Sequence, residues 1–181
     1  MKVIEFKEYI NNLEYYLTTK EEINVIVYAN KDYVLNGVEN SFNEEYCLEN
    51  DVEILHTRHM GGTIVNFKED ICVGNFQNCF NDFGDKFNKL LIKYFEEKGL
   101  NVSLHGNDIL IDNEYKVSSY SSVNINGRLY TAFHISIGMD IDLIKNICQK
   151  EMVKIPKGLS EYGITTEEIV DLVTKLANEI N

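Results

Sequence analysis

The sequence is poor in residues that break or cross-link a chain. Its 181 residues include a single proline, Pro156, and no tryptophan. The four cysteines form no Cys-x-x-Cys pair, so we expect reduced thiols and no zinc site. No repeat or low-complexity tract interrupts the chain. We therefore expect residues 1–181 to form one domain with a sizeable core and no C-terminal accessory domain.

Basic residues and long hydrophobic runs are also scarce. Lys and Arg number 17 against 29 Asp and Glu, which gives a formal charge of −12. Nucleic-acid binding needs clustered cations, so we expect no nucleic-acid partner, whereas ATP needs only a local positive site. No apolar stretch is long enough to span a membrane, and residues 1–8 are charged where a signal peptide would be apolar. A cytoplasmic protein without a membrane partner is predicted.

Hydrophobic periodicity predicts helices and strands that alternate along the chain. Helices are predicted over residues 6–17, 41–49, 82–98, 140–149 and 165–180, the second and fifth opening with the capping boxes Ser41/Glu44 and Thr165/Glu168. Strands are predicted over residues 23–29, 33–35, 52–55, 63–65, 71–76, 102–104, 108–111, 116–125 and 128–137, with Asn126-Gly127 as a hairpin turn. The fold class is α+β, with a mixed, largely antiparallel sheet and flanking helices. Segments 52–77 and 107–137 are expected to share that sheet.

The most informative stretch surrounds a double glycine, Gly61-Gly62, between two predicted strands. A tight turn is the commonest role of such a pair, because glycine tolerates positive φ. Here Arg58 precedes the glycines and Thr63 follows them. Exposed backbone N–H groups, a guanidinium and a hydroxyl together suit a phosphate or a carboxylate.

Segment 58–67 resembles the glycine-rich adenylate loop of the lipoate–protein ligase family, which also contains octanoyltransferases and, more distantly, biotin–protein ligases. Segments 25–28, 33–40, 107–109, 116–118 and 133–137 resemble further family strands, in family order. The resemblance runs from about residue 23 to residue 140. It implies the biotin/lipoate ligase catalytic-domain fold, which is shared with class II synthetases.

The resemblance also implies an activity. Such ligases use ATP and Mg²⁺ to activate lipoate or octanoate as an acyl-adenylate, then transfer the acyl group to a lysine of a lipoyl carrier domain of the E2 or H-protein type. Lys116 matches a family lysine that contacts both the acyl carbonyl and the phosphate, and it is the predicted catalytic residue. Without the resemblance, Lys116 would be interpreted as an exposed strand lysine.

Further positions match family residues around the ligands. The positions matched to ATP and acyl binding are Arg58, Gly61, Gly62, Thr63, Ile64, Val65, Asn66, Asn107, Asp108 and His134. His134 matches a histidine beside the acyl group, although a lone histidine among apolar strand residues is more often part of a core. Asn107 and Asp108 match a pair near the nucleotide, and alone they would indicate a turn that enters a strand.

The sequence departs from the family pattern at several positions. The substituted positions are Thr57 for an arginine, Met60 for a small hydroxyl residue, Thr63 for a glycine, Phe67 for a histidine, Ser119 for a glycine and Ile135 for a glycine. The Cβ of Thr63 narrows the space over the loop, which would weaken nucleotide binding or change the ligand. The family's accessory domain is also not recognised, so either a separate polypeptide supplies it or the chain works without one.

Three alternatives to a ligase follow from the same residues. An octanoyltransferase needs a nucleophilic cysteine, but none lies between Cys79 and Cys148. A non-catalytic relative that binds lipoyl groups or carriers fits the departures. A biotin ligase is less favoured, because its Arg- and Gly-rich loop is absent. Since lipoyl carriers tend to be acidic, we also expect a local basic rim formed by Arg128, Lys154 and Lys157.

Overall fold

The computed structural model describes residues 2–38, 42–59, 63–79, 82–148, 152 and 154–180. The helices are α1 (Phe6–Thr18), α2 (Glu44–Glu49), α3 (Phe83–Glu97), α4 (Ile141–Cys148), α5 (Thr166–Ile180) and a 3₁₀ helix (Leu159–Tyr162). The strands are β1 (Lys2–Glu5), β2 (Ile23–Tyr28), β3 (Tyr33–Asn36), β4 (Glu53–His56), β5 (Thr63–Asn66), β6 (Ile71–Gln77), β7 (Val102–His105), β8 (Asp108–Ile111), β9 (Tyr115–Ile125), β10 (Arg128–Ile135) and β11 (Ile155–Pro156). Within these residues, no helix is both long and apolar enough to cross a membrane.

The described strands form two sheets. The large sheet has the order β1-β2-β6-β10-β9-β8-β7, and β11 pairs with β9. Its β1–β2 and β11–β9 pairs are parallel and the others are antiparallel. The small sheet has the order β4-β3-β5, with one parallel and one antiparallel pair. The predicted α+β class with a mixed, largely antiparallel sheet and flanking helices is confirmed.

The expectation of a single shared sheet is wrong for two segments. Strands β4 and β5 pair with β3 in the small sheet, whereas β6, β8, β9 and β10 form the centre of the large sheet. The turn after β2 does not close a hairpin, and its Asp32 is hydrogen-bonded to β4 and to the turn after β5. The Asp32 carbonyl accepts from the Glu53 N–H at 3.1 Å, and its carboxylate accepts from the Lys68 N–H at 2.7 Å. These bonds hold the start of β3 against the small sheet.

The long β9–β10 hairpin sets the register of the large sheet. Asn126 and Gly127 have φ values of 53° and 85°, which the predicted two-residue turn requires. From this turn the register runs to His134 opposite Ser119, while on the other side of β10 His134 lies opposite Cys72. Because alternate residues of a strand face opposite sides, His134, Ser119 and Cys72 share one face of the sheet.

The two faces of the large sheet carry different cores. One face packs against α3 and α5, with Phe87, Leu91 and Phe133 fully buried between them. The other face packs against α1 through Tyr9 and Phe76. The small sheet has its own cluster with α2 and α4. The part of the second face that α1 leaves uncovered is available for a binding site.

The helix caps agree with the sequence in part. At α5 the capping box is confirmed: the Thr165 N–H donates to the Glu168 carboxylate at 3.1 Å, and the Glu168 N–H donates to Thr165 Oγ1 at 3.3 Å. At α2 the cap is Asn43, whose Oδ1 accepts from the Tyr46 N–H at 3.1 Å. The predicted partner Ser41 lies outside the described residues.

Candidate functional site

A cavity of about 600 Å³ lies between the large sheet, β5 of the small sheet, α1 and α4. Its apolar wall includes Phe6, Tyr9, Ile10, Leu35, Tyr130 and Ala132. Its polar wall includes Thr63, Asn66, Lys116, Ser119, His134 and Lys154. A largely apolar cavity with a few convergent polar groups is the usual form of a small-molecule site.

Lys116 enters the cavity wall from β9. A β-bulge between Ile109 and Leu110 shifts the β8–β9 register, so that Leu110 pairs with Lys116. The Lys116 Nζ lies 3.0 Å from Asp108 Oδ1, and its side chain remains 35% exposed. It therefore lies on the same cavity as Thr63 and His134, rather than on the opposite face of the sheet.

Asp108 joins Lys116 to a second cation. The Lys154 Nζ lies 2.7 Å from Asp108 Oδ2 and also donates to the His105 carbonyl at 3.4 Å. Burial of Asp108 acts to raise its pKa, but the hydrogen bonds from Lys154 and Lys116 outweigh burial and lower the pKa below its ordinary value. Two ammonium groups and one carboxylate leave a net positive end to the cavity, which suits an anionic group.

Asn107 is placed differently from its neighbour. It is exposed in the turn that precedes β8, where its carbonyl accepts from the Tyr120 N–H at 3.1 Å. As far as the described residues define the cavity, the Asn107 side chain is not part of the lining.

All four residues of β5, Thr63 to Asn66, line the cavity. The Thr63 hydroxyl is buried and has no hydrogen-bond partner among the described residues. The Asn66 side chain is also buried, and its Oδ1 accepts from the Cys72 thiol at 3.3 Å. An unpartnered hydroxyl on a cavity wall is available to a ligand.

The loop before β5 is described only in part. Gly61 and Gly62, with Met60, lie outside the described residues. Arg58 is 82% exposed, and its guanidinium lies 3.6 Å from the Glu14 carboxylate of α1. Arg58 is not part of the described cavity lining, whereas the next residue, His59, lines the cavity and bonds the same carboxylate at 2.8 Å. The structure thus brings Thr63, Lys116 and His134 together, but not Arg58.

His134 is held by the buried carboxylate of Asp70, which lies in the turn between β5 and β6. Its Nε2 lies 3.1 Å from Asp70 Oδ2, and the Asp70 side chain is fully buried. Asp70 also accepts from the N–H groups of Phe67 at 3.0 Å and Ile137 at 2.7 Å. No local pattern could identify Asp70, because two of its partners, His134 and Ile137, are distant in sequence.

The departures from the family pattern fall on different faces of the sheet. Thr63, Phe67 and Ser119 line the cavity. Ile135 is fully buried on the opposite face, in the core that packs against α3 and α5. The alternation of β10 explains this, since Ile135 must point away from its neighbour His134. The isoleucine therefore does not narrow the cavity.

Two cysteines reach the cavity, Cys72 from β6 and Cys148 from α4. Burial raises the pKa of the Cys72 thiol well above its ordinary value, which disfavours the thiolate and hence nucleophilic attack. Cys148 is half-buried at the end of α4. The fold thus places Cys148 on the cavity, although no cysteine lies between Cys79 and Cys148 in the sequence.

The predicted basic rim is wrong for Arg128. That side chain is buried, and its guanidinium donates to the Tyr16 carbonyl at 2.8 Å and to Asn78 Oδ1 at 2.6 Å. Arg128 thus ties α1 to the sheet, because buried carbonyls need donors and guanidinium supplies several. Lys157 lies over the Tyr115 ring at 4.5 Å, and Lys154 belongs to the cavity.

Comparison with known proteins finds similar solved structures but no matching family model or curated protein. No protein-family model matches the sequence. No curated protein matches it. A solved structure of a bipartite lipoate–protein ligase and its E2 lipoyl domain from Thermoplasma acidophilum matches with a TM-score of 0.79 and 10% identity, over 99% of this chain and 82% of the other.

Two further solved structures are similar to this chain over nearly its whole length. LipL1 of P. falciparum, in complex with lipoate, has a TM-score of 0.73 and 15% identity, over 98% of this chain and 59% of its own length. A lipoate–protein ligase A bound with ATP has a TM-score of 0.76 and 11% identity, over 99% of this chain and 84% of the other. The chain therefore has the catalytic-domain fold of the lipoate–protein ligases, as the resemblance of its motifs predicted.

Proposed function

We propose that this protein is a lipoate–protein ligase-like enzyme that activates lipoate or octanoate with ATP and transfers the acyl group to a lysine of a lipoyl carrier domain. The proposal rests on one observation: Lys116, Thr63 and His134 line the same largely apolar cavity. The fold supports the proposal, because structures with the same fold include one bound with ATP and one in complex with lipoate.

The cavity is divided in a way that suits an acyl-adenylate. Tyr9, Leu35 and Ala132 offer apolar surface to a hydrocarbon chain, and the volume of about 600 Å³ is within the range of small-ligand sites. Lys116 and Lys154 stand on the same cavity, joined by Asp108. The apolar wall would hold the acyl chain, and the two ammonium groups would attract the carboxylate and the α-phosphate.

Lys116 is the proposed catalytic residue. In adenylate formation the acyl carboxylate attacks the α-phosphorus of ATP, and pyrophosphate leaves. An ammonium group between the carboxylate and the phosphate stabilises the negative charge that they share in the transition state. The bond to Asp108 keeps the Lys116 amine at the cavity before the ligands arrive.

The remaining nucleotide contacts are assigned by the family pattern. The Thr63 hydroxyl, Asn66 and the backbone of Ile64 and Val65 are the proposed donors to ATP, because all four residues line the cavity. The family pattern also matches Asn107 and Asp108 to a pair near the nucleotide, but neither is part of the described lining. The proposal also includes Gly61 and Gly62, together with Arg58, which would have to leave Glu14 to reach the ligand.

Mg²⁺ would enter with ATP as part of the substrate. Within the described residues no group of three or more His, Cys, Asp or Glu side chains could hold a metal ion. Mg²⁺ usually keeps several waters and binds one or two carboxylates together with phosphate oxygens. Asp108 does not offer a free carboxylate, because Lys116 and Lys154 bind its two oxygens.

The proposed partner is a lipoyl carrier domain of the E2 or H-protein type. One structure of the same fold is described as a bipartite ligase with its E2 lipoyl domain. We therefore also propose that residues 1–181 form a single catalytic domain that works with a separate accessory polypeptide.

Pyrophosphate exchange tests the role of Lys116. With ATP, Mg²⁺, lipoate and the accessory domain of a bipartite ligase, we expect Lys116→Ala to lower the exchange rate by about 10²–10³-fold, because one preorganised electrostatic contact is lost. Lys116→Arg should not rescue the rate, since a planar guanidinium does not replace a compact ammonium. Lys175→Ala, an exposed lysine of α5, is the matched control and should exchange normally.

The thermal midpoint of Lys116→Ala should stay close to that of the wild type, because the Lys116 side chain is partly exposed and serves the ligand. Exchange that survives Lys116→Ala unchanged would contradict the assignment of this residue.

An octanoyltransferase remains the second candidate because Cys148 lines the cavity. Such an enzyme would transfer octanoate without ATP, through a thioester on the cysteine. ATP-independent transfer from an octanoylated carrier that disappears in Cys148→Ser would support this alternative over the ligase.

A further inference from the structure

The pair His134–Asp70 has the arrangement of an oriented base. Asp70 is fully buried and accepts three hydrogen bonds, from the N–H groups of Phe67 and Ile137 and from His134 Nε2. An ionised carboxylate can only accept, so the ring nitrogen that faces Asp70 carries the hydrogen. In the neutral imidazole the other ring nitrogen then has a lone pair.

That second nitrogen belongs to a ring on the cavity wall. The His134 side chain is 21% exposed, and among the described residues its hydrogen-bond partner is Asp70 alone. Here Asp70 fixes one nitrogen and leaves the other for a ligand.

The position of His134 relative to Lys116 follows from the register. His134 pairs with Ser119 on β9, the strand that also carries Lys116. At a rise of about 3.3 Å per residue, Lys116 and Ser119 are roughly 10 Å apart along the strand, and the bulge shortens this span. An acyl carbonyl bound by the Lys116 ammonium would therefore lie between the two side chains.

We propose that His134, oriented by Asp70, is the general base that takes the proton from the acceptor lysine during acyl transfer. This inference rests on the proposed function. A lysine amine has an ordinary pKa of about 10.4, so at neutral pH the acceptor arrives as an ammonium and cannot attack. The free ring nitrogen of His134, on the same cavity as Lys116, is placed to take that proton.

The step balances as follows. The lysine nitrogen forms a bond to the acyl carbon, the bond from that carbon to the phosphate oxygen breaks, and AMP leaves with the electron pair. The acceptor ammonium loses two protons: the first goes to the free ring nitrogen of His134 and frees the lone pair for attack, and the second goes to water as the amide forms. His134 then passes its proton to water, so the products are an amide on the carrier, AMP and two protons.

The test separates the two half-reactions in His134→Gln. Glutamine can donate to Asp70, so the local structure is retained, but it cannot accept a proton. We expect pyrophosphate exchange to remain at the wild-type level, while single-turnover transfer from bound lipoyl-adenylate to a lipoyl domain falls by about 10²–10⁴-fold. His105→Gln, an exposed histidine of β7, is the matched control for both measurements.

Hydroxylamine is the decisive acceptor, because its nitrogen is unprotonated at neutral pH. The rate of its reaction with the bound adenylate should be the same in wild type and His134→Gln. Added imidazole should restore lysine transfer in His134→Ala. Equal losses of exchange, hydroxylamine reaction and lysine transfer in His134→Gln would overturn the proposal, because they would indicate a binding or structural role.

The design also distinguishes this inference from the proposed function. Suppose that the wild type showed no pyrophosphate exchange but transferred lipoate from synthetic lipoyl-adenylate, and that His134→Gln lost this transfer. The ligase proposal would then fail, and the assignment of His134 as the general base would be supported. Wild-type exchange with normal lysine transfer in His134→Gln would support the ligase and overturn the base.

Discussion

At the scale of single residues, the site depends on side chains whose partners are far away in sequence. Lys116 and His134 were predicted from the motifs, and the structure brings both to the cavity. Asp70 was not predicted as a site residue, since its burial is created by β10 and by the segment after it. Arg58 also departs from expectation, since it pairs with Glu14 of α1 and is not part of the described cavity lining. Motifs identify residue types, whereas long-range contacts decide where the side chains lie.

Asp70→Asn tests how much the hydrogen bonds of the buried Asp70 carboxylate contribute to stability. An amide nitrogen in place of one carboxylate oxygen would face donors at Phe67, Ile137 or His134, so at least one hydrogen bond must be lost. A buried donor without a partner costs about 1–3 kcal/mol. We expect the free energy of unfolding, measured in urea, to fall by that amount. Asp171→Asn on the exposed side of α5 is the control, and equal stability of the two variants would contradict the account.

At the scale of elements, most helices and strands follow from periodicity and capping, and their predicted positions agree with the structure. The missed elements are β1, β11 and the 3₁₀ helix at Leu159–Tyr162. These segments are too short for a period to be recognised. The division into two sheets was also missed. The hydrogen bonds of Asp32 to β4 and to Lys68 are long-range contacts, which the hydrophobic periodicity of β2 and β3 does not reveal.

Glu53 of β4 shows how the small sheet is attached to the rest. Its carboxylate forms ion pairs with Lys31 and with Lys7 of α1. These hydrogen bonds, from Lys31 first and then Lys7, lower the pKa of Glu53 below its ordinary value. A lowered pKa means that the ionised form stabilises the folded state. This contribution is complete above the unfolded pKa of about 4.3 and is lost as the pH falls through the folded value.

Glu53→Gln should therefore destabilise the protein at pH 7 by less than about 1 kcal/mol, since the lysines are largely solvated. The difference from wild type should shrink as the pH is lowered from about 5 toward 3. Urea unfolding at both pH values measures it. Glu114→Gln is the control, because Glu114 is exposed and has no ion pair among the described residues. A difference that grows at low pH would contradict this assignment.

At the scale of the whole molecule, the cavity exists because two sheets and two helices enclose it. Periodicity along one strand cannot predict such a space, but family-like motifs in family order did predict the fold that encloses it. The same scale explains why the basic rim failed at Arg128. The sequence shows how many cations the chain has but not which of them are exposed. Arg128 is buried and donates to the Tyr16 carbonyl of α1.

The most direct test of the account is the intact mass of a lipoyl carrier domain after incubation with this protein, lipoate, ATP, Mg²⁺ and a bipartite-ligase accessory domain. We expect the carrier to gain one lipoyl group on its acceptor lysine, and we expect no gain when ATP is omitted or when the lysine is replaced. An unmodified carrier with both lipoate and octanoate, together with retained binding of the carrier, would contradict the ligase account and support a non-catalytic binding protein.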